Sequence, residues 1–244
     1  MTRAMILCAG FGTRMEGLTA NFPKPMLPLG ERPLLEYTIA NLKRVGIIEI
    51  GINLHYLADK ITDYFGDGNK FGVKITYTYE DAPSGTAGGV KKLQGFLSQS
   101  ENFLVLYGDV LTTQNFSTIR KFHIEKNGKA TILLHRRKKS NSIVKLDNDG
   151  RIIDFLERPS EPTHVEEESW VNSGIYCFSP GIFKFIPENS FCDFPRDIFP
   201  LLIEQRNLYG LPLNGYRCAI DTPDRYLLAQ QDIDQYKFLL ERNL

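Results

Sequence analysis

A glycine-rich segment near the start of the chain carries residue types that suit a phosphate-binding site. The apolar run Ala4–Ala9 leads directly into Gly10, Gly12, Thr13 and Arg14. Two glycines separated by one residue allow the backbone to approach a ligand closely and to turn its N–H groups toward an anion. The planar guanidinium of Arg14 adds donors that match phosphate oxygens. The segment therefore predicts a strand that ends in a loop able to bind a polyphosphate.

Lys24 supplies a second cation to the same loop. It lies between Pro23 and Pro25, and a proline on each side restricts the backbone, so we expect its ammonium group to point in a fixed direction. Two common phosphate-binding patterns do not fit. The dinucleotide fingerprint needs a third glycine where Met15 stands, and the Walker sequence Gly-Lys-Ser/Thr does not occur in the loop. A Gly-x-Gly pair also fits an ordinary tight turn, and its spacing alone leaves that alternative open.

The elements predicted around this loop alternate between strands and helices. Sequence periodicity predicts strands at 48–53, 73–79 and 102–107. It predicts helices at 33–46 and 56–65, and a third helix that follows the glycine-rich stretch 83–89 and ends near residue 97. Such alternation predicts parallel βαβ units, with helices on both faces of the sheet and ligands bound where the strands end. The fold class is therefore predicted as α/β, a Rossmann-like three-layer sandwich with a mostly parallel central sheet.

The second half of the chain is richer in predicted strands. Its predicted elements are strands at 130–135, 143–146, 152–155 and 171–178, a helix at 194–205, an extended segment at 208–216 and a final helix from Pro223. The basic run Arg136–Lys139 is interpreted as a solvated loop. Since no linker interrupts the sequence, we predict a single domain over 1–244, with halves at about 1–125 and 126–244.

Composition narrows the classes of function. The chain has 244 residues and a formal net charge of zero, which gives no reason to expect nucleic acid or a membrane as a partner. Its four cysteines are scattered without the spacing of a zinc site, and three of them, Cys8, Cys177 and Cys218, lie in apolar runs and are interpreted as buried free thiols. The N-terminal apolar run is too short for a signal peptide. No apolar stretch of the sequence is long enough to span a bilayer, so we expect a cytoplasmic protein.

Asp109 is the metal-ligand candidate that the residues themselves suggest. It follows Gly108 at the end of the predicted strand 102–107. A carboxylate at such a strand end can hold Mg²⁺, which prefers one or two carboxylates together with substrate phosphates and water. An aspartate there is also a common turn residue, and position alone leaves both roles open.

Several motifs of the chain resemble one known family. The loop is similar to the signature of the sugar-1-phosphate nucleotidyltransferases at Leu7, Ala9, Gly10, Gly12, Thr13, Arg14, Lys24 and Pro25. The resemblance implies the nucleotide-diphospho-sugar transferase fold and a loop that wraps the triphosphate of a nucleoside triphosphate. It implies that Arg14 serves the leaving pyrophosphate and Lys24 the α-phosphate. It also implies that Asp109, in the family's Gly-Asp pair, is a catalytic ligand of Mg²⁺.

A second glycine-rich stretch, Gly85–Gly88, resembles the family loop that lies against the nucleobase. The resemblance implies nucleotide-binding roles for Gly85 and Thr86. Glycine there would let a flat base approach the backbone, and the positive end of the following helix would point into the site. Glu80, just upstream, stands where guanylyl-transferring relatives often carry glutamate, and a carboxylate can accept from the N1–H and amino groups of guanine.

Two motifs of the second half resemble the sugar-phosphate site of the family. The run Phe155–Pro159 is similar to Phe-x-Glu-Lys-Pro, and Val171–Tyr176 is similar to Val-Asn-Ala-Gly-Ile-Tyr. The resemblance implies that Glu157 binds sugar hydroxyls, that Arg158 binds the sugar phosphate in place of lysine, and that Asn172 faces the sugar. Ordinary sheet structure is the alternative for both motifs.

The segment Gly215–Pro223 departs from the family pattern. Relatives of the mannose-1-phosphate guanylyltransferase type read Gly-Tyr-Trp-x-Asp-Ile-Gly-Thr-Pro, where the Asp is the second Mg²⁺ ligand. Here Ala219 stands at the ligand and Asp221 at the glycine. Several cytidylyl-transferring relatives carry the metal-binding Asp before the Thr, as Asp221 precedes Thr222. The predicted metal ligands are therefore Asp109 and Asp221.

The function that the resemblance implies is transfer of a nucleotidyl group (EC 2.7.7) with Mg²⁺ as cofactor. A nucleoside triphosphate and a sugar-1-phosphate would give an NDP-sugar and pyrophosphate, with mannose-1-phosphate guanylyltransferase as the nearest type. Uridylyl, cytidylyl or thymidylyl transfer to heptose-, glucose- or N-acetylmuramate-1-phosphate stays open. So does a non-catalytic regulatory homologue that binds a sugar nucleotide. No hexapeptide repeat occurs, so no C-terminal β-helix is expected, and homo-oligomerisation is left open.

Overall fold

Two compact units make up the chain, and each is assembled from separated stretches. A computed structural model describes residues 2–15, 17–138, 142–157 and 168–241, the last seven without side chains. The first unit comprises Met1–Pro83, Leu106–Phe116 and Asn214–Leu244, and the second comprises Ser84–Val105 and Ser117–Leu213. The units therefore interleave along the sequence and do not follow one another as two halves.

Helices and strands alternate, singly or in pairs, between residues 34 and 126, and four consecutive strands follow in the second half of the chain. The strands are β1 (Arg3–Leu7), β2 (Pro28–Leu29), β3 (Arg32–Pro33), β4 (Glu49–Leu54), β5 (Lys74–Tyr79), β6 (Phe103–Tyr107), β7 (Val110–Thr112), β8 (Ala130–Arg137), β9 (Ile143–Leu146), β10 (Ile152–Leu156), β11 (Ser169–Phe178), β12 (Leu208–Pro212) and β13 (Arg217–Ala219). The helices are α1 (Leu34–Arg44), α2 (Ala58–Phe65), α3 (Gly85–Lys92), α4 (Gln94–Leu97), α5 (Phe116–Lys126), α6 (Phe199–Glu204) and α7 (Pro223–Glu241).

The sheet of the first unit is parallel where β1, β4 and β5 pair. The register of β1 on β4 runs from Arg3 opposite Glu49 to Leu7 opposite Asn53, and β5 pairs in parallel on the other side of β4. The centre of β1 is completely buried, as expected of a strand that is covered on both faces. The carboxyl ends of the three strands therefore lie at one edge, where the glycine-rich loop leaves β1.

A cluster of buried hydrophobic residues connects the glycine-rich loop to two helices of the first unit, α1 and α7. Met15, in the loop, is completely buried and packs with Leu34 and Tyr37 of α1 and with Tyr226 and Ile233 of α7. The residue that breaks the dinucleotide fingerprint is thus a core residue. Its burial fixes the loop relative to α1 and α7 without any contribution from a ligand.

In the second unit, β8 is the central strand. It pairs with β11 in antiparallel and with β12 in parallel orientation, while β9 and β10 form the predicted hairpin. The strand continues to Arg137, so the interpretation of the basic run as a loop was wrong for its first two residues. The guanidinium of Arg136 lies 4.0 Å from the centre of the Trp170 ring on β11, a cation–π contact that keeps the side chain on the sheet.

Several elements differ from the predicted ones. The glycine-rich stretch near Gly85 belongs to α3 itself, and the predicted helix 194–205 begins as a π-helical turn, Phe194–Ile198, before α6. The short strands β7 and β13 and the helix α5 carried no clear periodic signal. The predicted class is confirmed, because the fold is mixed α/β with a central, mostly parallel sheet. Among the described residues, no helix is both long enough and apolar enough to cross a membrane.

His123 makes the stability of the second unit depend on pH. The side chain is buried, and its two ring nitrogens each form a hydrogen bond of 3.0 Å, one with Thr131 Oγ1 and one with Ser179 Oγ. Burial lowers the pKa of His123 to about 4 from the usual 6.5. Since the unfolded chain takes up the proton first, stability is complete above pH 6.5 and is lost as the pH falls toward 4.

We expect this single group to remove about 2 kcal/mol of unfolding free energy between pH 7 and pH 4.5. Urea unfolding of the natural protein and of the His123→Gln variant, each followed by circular dichroism at both pH values, measures this difference. The variant should have the flatter dependence on pH, because its amide does not titrate. Parallel curves for the two proteins would contradict the prediction.

Candidate functional site

Gly12 shapes the predicted phosphate loop. Its φ is +70°, and its carbonyl accepts hydrogen bonds from the Met15 N–H (3.0 Å) and from Thr19 Oγ1 (3.2 Å). A Cβ at this position would lie 3.0 Å from Thr19 Cγ2 and 3.1 Å from Lys24 Cγ. Glycine is therefore required both by the backbone conformation and by the close approach of the Lys24 side chain.

Gly10 differs from Gly12. A Cβ at Gly10 would meet no atom within 4 Å, and the residue is exposed with no positive φ. The fold itself does not require glycine here, which is consistent with a residue kept small for a ligand. Ala9 is buried, and Thr13 opens the 3-10 turn Thr13–Met15 on the exposed side of the loop.

Gly108 brings the end of β6 against the end of β1. Its N–H donates to the Leu7 carbonyl at 2.9 Å, and a Cβ on Gly108 would lie 2.8 Å from both Leu7 O and Cys8 Sγ. Its other near neighbour is Pro25, whose Cγ would be 3.3 Å away. Asp109 is thereby placed beside both the glycine-rich loop and the Lys24-Pro25 segment.

Lys24 and Asp109 form an ion pair in this position. Lys24 Nζ lies 3.2 Å from Asp109 Oδ2, and their side chains are only 11% and 25% exposed. The Lys24 side chain is held between the glycine-rich loop and Asp109, so it is packed although it belongs to a loop. Charges at this depth are weakly screened, so the pair responds strongly to any further charge placed beside it.

Asp221 is bound by two arginines, one at each carboxylate oxygen. Arg14 Nη1 lies 3.3 Å from Asp221 Oδ2, and Arg225 Nη1 lies 2.8 Å from Asp221 Oδ1. The backbone carries Asp221 to this place because β13 pairs with β7, and the N–H of Ile220 then donates to the Asp109 carbonyl at 2.7 Å. The two predicted metal ligands therefore lie on adjoining backbone segments.

Arg217 is a further cation of this group. Burial lowers the pKa of its guanidinium, an effect that the carboxylates of Asp109 and Asp221 oppose. Both arginines were missed from the sequence: Arg217 lies within the Gly215–Pro223 segment but was given no role there, and Arg225 lies beyond every motif. We define the charged site as Arg14, Lys24, Asp109, Arg217, Asp221 and Arg225, which together carry a formal charge of +2. A site with this excess of cations suits a polyphosphate.

The donor set of the charged site also fits Mg²⁺. In the part of the chain that the structure describes, no three His, Cys, Asp or Glu side chains gather into a group that could hold a metal. Mg²⁺ does not need such a cage, because it keeps several waters and takes one or two carboxylates together with substrate phosphates. Asp109 and Asp221 could supply those carboxylates, and their metal role stays a prediction.

Glu80, the candidate base reader, is buried just beyond β5. Its Oε1 accepts a hydrogen bond of 2.6 Å from Asn53 Nδ2, and its backbone carbonyl lies 2.6 Å from His55 Nδ1. The Oδ1 of Asn53 accepts in turn from the Cys8 N–H at 2.9 Å. A chain of hydrogen bonds therefore connects Glu80 to the start of the glycine-rich loop. Asn53 was missed, although a polar residue within an apolar strand was a usable signal.

In the second unit, the N-terminus of α3 is closed by protein atoms. Asp193 Oδ1 accepts from both the N–H and the Oγ1 of Thr86, each at 2.9 Å, and the Cys192 carbonyl accepts from Ala87 and Gly88. Gly85 has a φ of +80°, and a Cβ there would collide with the Cys192 carbonyl. The glycine is therefore explained by packing, and these N–H groups are already used. The nucleobase role of Gly85 and Thr86 stays a prediction.

The predicted sugar-phosphate residues also lie in the second unit. The Asn172 amide spans the bulge of β11, because Nδ2 donates to the Tyr176 hydroxyl at 2.8 Å and Oδ1 accepts from the Gly174 N–H at 2.9 Å. Glu157 follows β10 and has one carboxylate oxygen shielded from solvent. Arg158 lies outside the described residues. Their contact with a sugar phosphate stays a prediction.

Residues 3–235 match the protein family described as Nucleotidyl transferase. The chain belongs to this family, which confirms the predicted resemblance. A UTP–glucose-1-phosphate uridylyltransferase of Synechocystis sp. is 36% identical over 224 residues, which cover 86% of this chain and 56% of the relative. The mannose-1-phosphate guanylyltransferase catalytic subunit beta of Drosophila pseudoobscura pseudoobscura is 31% identical over 230 residues, which cover 93% of this chain and 61% of the relative.

A solved structure supports the fold assignment. A Bacillus anthracis protein named as a glucose-1-phosphate thymidylyltransferase superposes with a TM-score of 0.84 at 22% identity, over 95% of this chain and 94% of that one. The fold is thus that of the nucleotide-diphospho-sugar transferases. The chain spans 56% to 64% of the length of the curated relatives that it matches.

Lys24 should be worth more to turnover than to folding when its aliphatic stem is retained. We expect Lys24→Met to lower nucleotidyl-transfer turnover by about a hundredfold, the usual loss for one donor that stabilises charge in a transition state. Methionine preserves most of the packing of the stem. Lys24→Ala should lose the same activity and also lower the unfolding free energy, because the stem packs against Gly12.

Steady-state turnover and urea unfolding of both variants separate these effects. Lys145→Met is the matched control, since Lys145 forms an exposed ion pair with Asp154 at 2.9 Å and lies outside the charged site. Near-normal turnover of Lys24→Met would make Lys24 a structural residue only.

Proposed function

We propose that the protein is a sugar-1-phosphate nucleotidyltransferase, which forms an NDP-sugar and pyrophosphate from a nucleoside triphosphate and a sugar-1-phosphate. The observation that carries the proposal is the charged site on the glycine-rich loop, with Lys24 against Asp109 and Arg14 against Asp221. Its residue types and its excess positive charge match a polyphosphate substrate. Membership of the nucleotidyl transferase family supports the same reaction class.

The proposed reaction needs little covalent help from the protein. An oxygen of the sugar phosphate attacks the α-phosphorus in line, the bond from that phosphorus to the bridging oxygen breaks, and pyrophosphate leaves with the electron pair. Catalysis of such a transfer rests on positioning and charge neutralisation. Lys24 would neutralise charge on the α-phosphate, and Arg14 would neutralise charge on the leaving pyrophosphate.

Mg²⁺ is the proposed cofactor, with Asp109 and Asp221 as its protein ligands. When bound, Mg²⁺ would supply positive charge to the phosphate oxygens. Asp109 would then exchange part of its pairing with Lys24 for the metal, which would free the ammonium for the substrate. Because the side chains of Lys24 and Asp109 are largely shielded from water, replacing Lys24 by a metal ion at Asp109 would change the electrostatic energy of the site substantially.

Guanine is the proposed base and mannose-1-phosphate the proposed acceptor. A buried carboxylate such as Glu80 can accept from the N1–H and amino groups of guanine, whereas uracil, thymine and cytosine offer a poorer set of donors. Among similar proteins, names with guanylyl, uridylyl and thymidylyl groups all occur. Uridylyl, cytidylyl or thymidylyl transfer to glucose-, heptose- or N-acetylmuramate-1-phosphate is therefore the alternative that the test must include.

We expect GTP to give the fastest pyrophosphate release when each triphosphate is supplied with Mg²⁺ and a panel of sugar-1-phosphates. The N1–H and the adjacent amino group of guanine can together serve both oxygens of the Glu80 carboxylate, whereas uracil and thymine offer one ring N–H between two carbonyl groups and cytosine offers an amino group alone, so a pyrimidine leaves acceptor capacity unpaired. Glu80→Gln should narrow the difference between GTP and UTP, with Glu31→Gln as a control outside the site. Fastest release with a pyrimidine nucleotide would reject the guanine assignment.

A non-catalytic sugar-nucleotide-binding homologue is the second candidate function. The observation that favours it is Ala219, which replaces a metal-binding carboxylate of the resembling family on β13. Absence of pyrophosphate release with every substrate pair, together with tight binding of a sugar nucleotide in isothermal titration, would support this function instead.

The metal role of Asp221 has its own test. If Asp109 and Asp221 share Mg²⁺, Asp221→Asn should shift the Mg²⁺ dependence of turnover to at least about tenfold higher concentration, because a neutral amide is a weak ligand for a hard cation. Asp221→Asn and Asp109→Asn combined should be scarcely worse than either alone. A Mg²⁺ curve of Asp221→Asn that overlays that of the natural protein would leave Asp109 as the protein ligand.

The displaced carboxylate can also be moved back. Ala219 ends β13 and Asp221 lies two residues further along the chain, so Ala219→Asp combined with Asp221→Gly restores the family pattern. We expect this double variant to regain activity that Asp221→Gly alone loses. Failure of the restoration would indicate that Asp221 serves the site by its contacts with the two arginines.

A further inference from the structure

We propose that Arg225 is a positioning residue of the charged site, which acts through Asp221 on Arg14. Arg225 holds one oxygen of the Asp221 carboxylate, and Arg14 contacts the other. The inference rests on the proposed function, because it assigns the polyphosphate substrate to Arg14. It adds a residue that lies outside every motif of the sequence.

The two oxygens of the Asp221 carboxylate have different arginine partners. Arg225 Nη1 donates to Oδ1 at 2.8 Å, and Arg14 Nη1 donates to Oδ2 at the longer distance of 3.3 Å. The side chain of Asp221 is only 17% exposed, whereas that of Arg14 is 54% exposed. The carboxylate is therefore fixed by Arg225 and offers its second oxygen to Arg14, whose side chain is half exposed.

The start of α7, which carries Arg225, is held by hydrogen bonds and by packing. It lies in the first turn of α7, where its N–H faces Thr222 Oγ1 at 3.4 Å and its carbonyl lies near Cys218 Sγ. The neighbouring Tyr226 is buried and donates its hydroxyl hydrogen bond to the Pro28 carbonyl at 2.7 Å. Arg225 therefore holds Asp221 from a position next to the buried cluster, through its neighbour Tyr226.

Arg225 stands at a position that disfavours positive charge. A cation in the first turn of a helix is repelled by the positive end of the helix dipole. Arg225 occupies this unfavourable place, and Asp221 offsets the cost. Residues that break a local rule in this way concentrate at functional sites.

The consequence concerns the entropy of Arg14. A long, half-exposed side chain must be immobilised when it binds a phosphate, and the loss of its rotamer freedom weakens binding. Arg225 and Asp221 would place the Arg14 guanidinium before the substrate arrives. The combination of Arg14, Asp221 and Arg225 keeps a net charge of +1, so the placement does not cancel the attraction for an anion.

Isothermal titration with inorganic tripolyphosphate in EDTA tests the proposal without metal and without turnover. The natural protein should bind, and Arg225→Gln should bind about tenfold more weakly, the size expected for one side chain that is no longer preorganised. Arg225→Lys should lie between the two, since it keeps the charge with a less rigid donor group. Arg32→Gln is the control, because Arg32 forms an ion pair with Glu36 at the same i,i+4 spacing, outside the charged site.

A double-mutant cycle with Arg14→Gln distinguishes positioning from direct contact. If Arg225 acts through Asp221 on Arg14, Arg225→Gln should change tripolyphosphate affinity less than twofold in the Arg14→Gln background. If Arg225 contacts the phosphate itself, the two losses should multiply, and the proposal is overturned. Circular dichroism and thermal unfolding establish that each variant is folded, and Arg225→Lys replaces Arg225→Gln if the latter does not fold.

The possible failures are distinguishable. Equal affinity of the natural protein and of a folded Arg225→Gln would overturn the role of Arg225 and leave the polyphosphate site intact. Absence of tripolyphosphate and nucleotide binding by the natural protein would overturn the proposed function, and the role of Arg225 with it.

Discussion

The antiparallel pairing of β7 with β13 is the interaction on which the charged site depends. It joins two short segments that lie far apart in the sequence, and its last hydrogen bond runs from the Ile220 N–H to the Asp109 carbonyl. The pairing places Asp109 and Asp221 on adjoining backbone segments, and two negative charges so placed are tolerated when cations lie beside them. The cations of the charged site meet this condition, and the ion pairs of Lys24 and Arg14 follow from it.

Hydrophobic packing holds these charges in place. The buried cluster that includes Met15, Leu111, Cys218, Ile220 and Tyr226 contains residues from the glycine-rich loop, from β7, from the β13 segment and from α7. Four charged residues of the site are therefore adjacent in sequence to members of this cluster: Arg14 to Met15, Arg217 to Cys218, Asp221 to Ile220, and Arg225 to Tyr226. Apolar burial stabilises this arrangement, and the charges add specificity more than they add stability.

The fold class and the core of the site were predictable because they depend on local patterns. The apolar run that becomes β1, the positive φ of Gly12 and the carboxylate after Gly108 all leave a signature within a few residues. The strands β7 and β13 did not, since three residues are too few for a period to emerge. Arg225 and Asp193 acquire their roles only through partners that are distant or unremarkable in sequence. The residues of the charged site to which a sequence motif assigns a role were therefore predicted. Arg225 of α7 was missed, because its role depends on its contact with Asp221.

The interleaving of the two units has a consequence for biosynthesis. The first unit is complete only when Asn214–Leu244 joins Met1–Pro83 and Leu106–Phe116, because β13 and α7 belong to that last stretch. A ribosome-bound chain therefore carries the glycine-rich loop and Asp109 while about a hundred further residues are added before Arg217, Asp221 and Arg225 appear. During that interval Met15, Leu29 and Leu111 lack the α7 residues that cover them in the folded unit. Nascent chains are expected to keep this apolar surface open until translation has passed α7, which makes the final helix the step that commits the first unit to its native state.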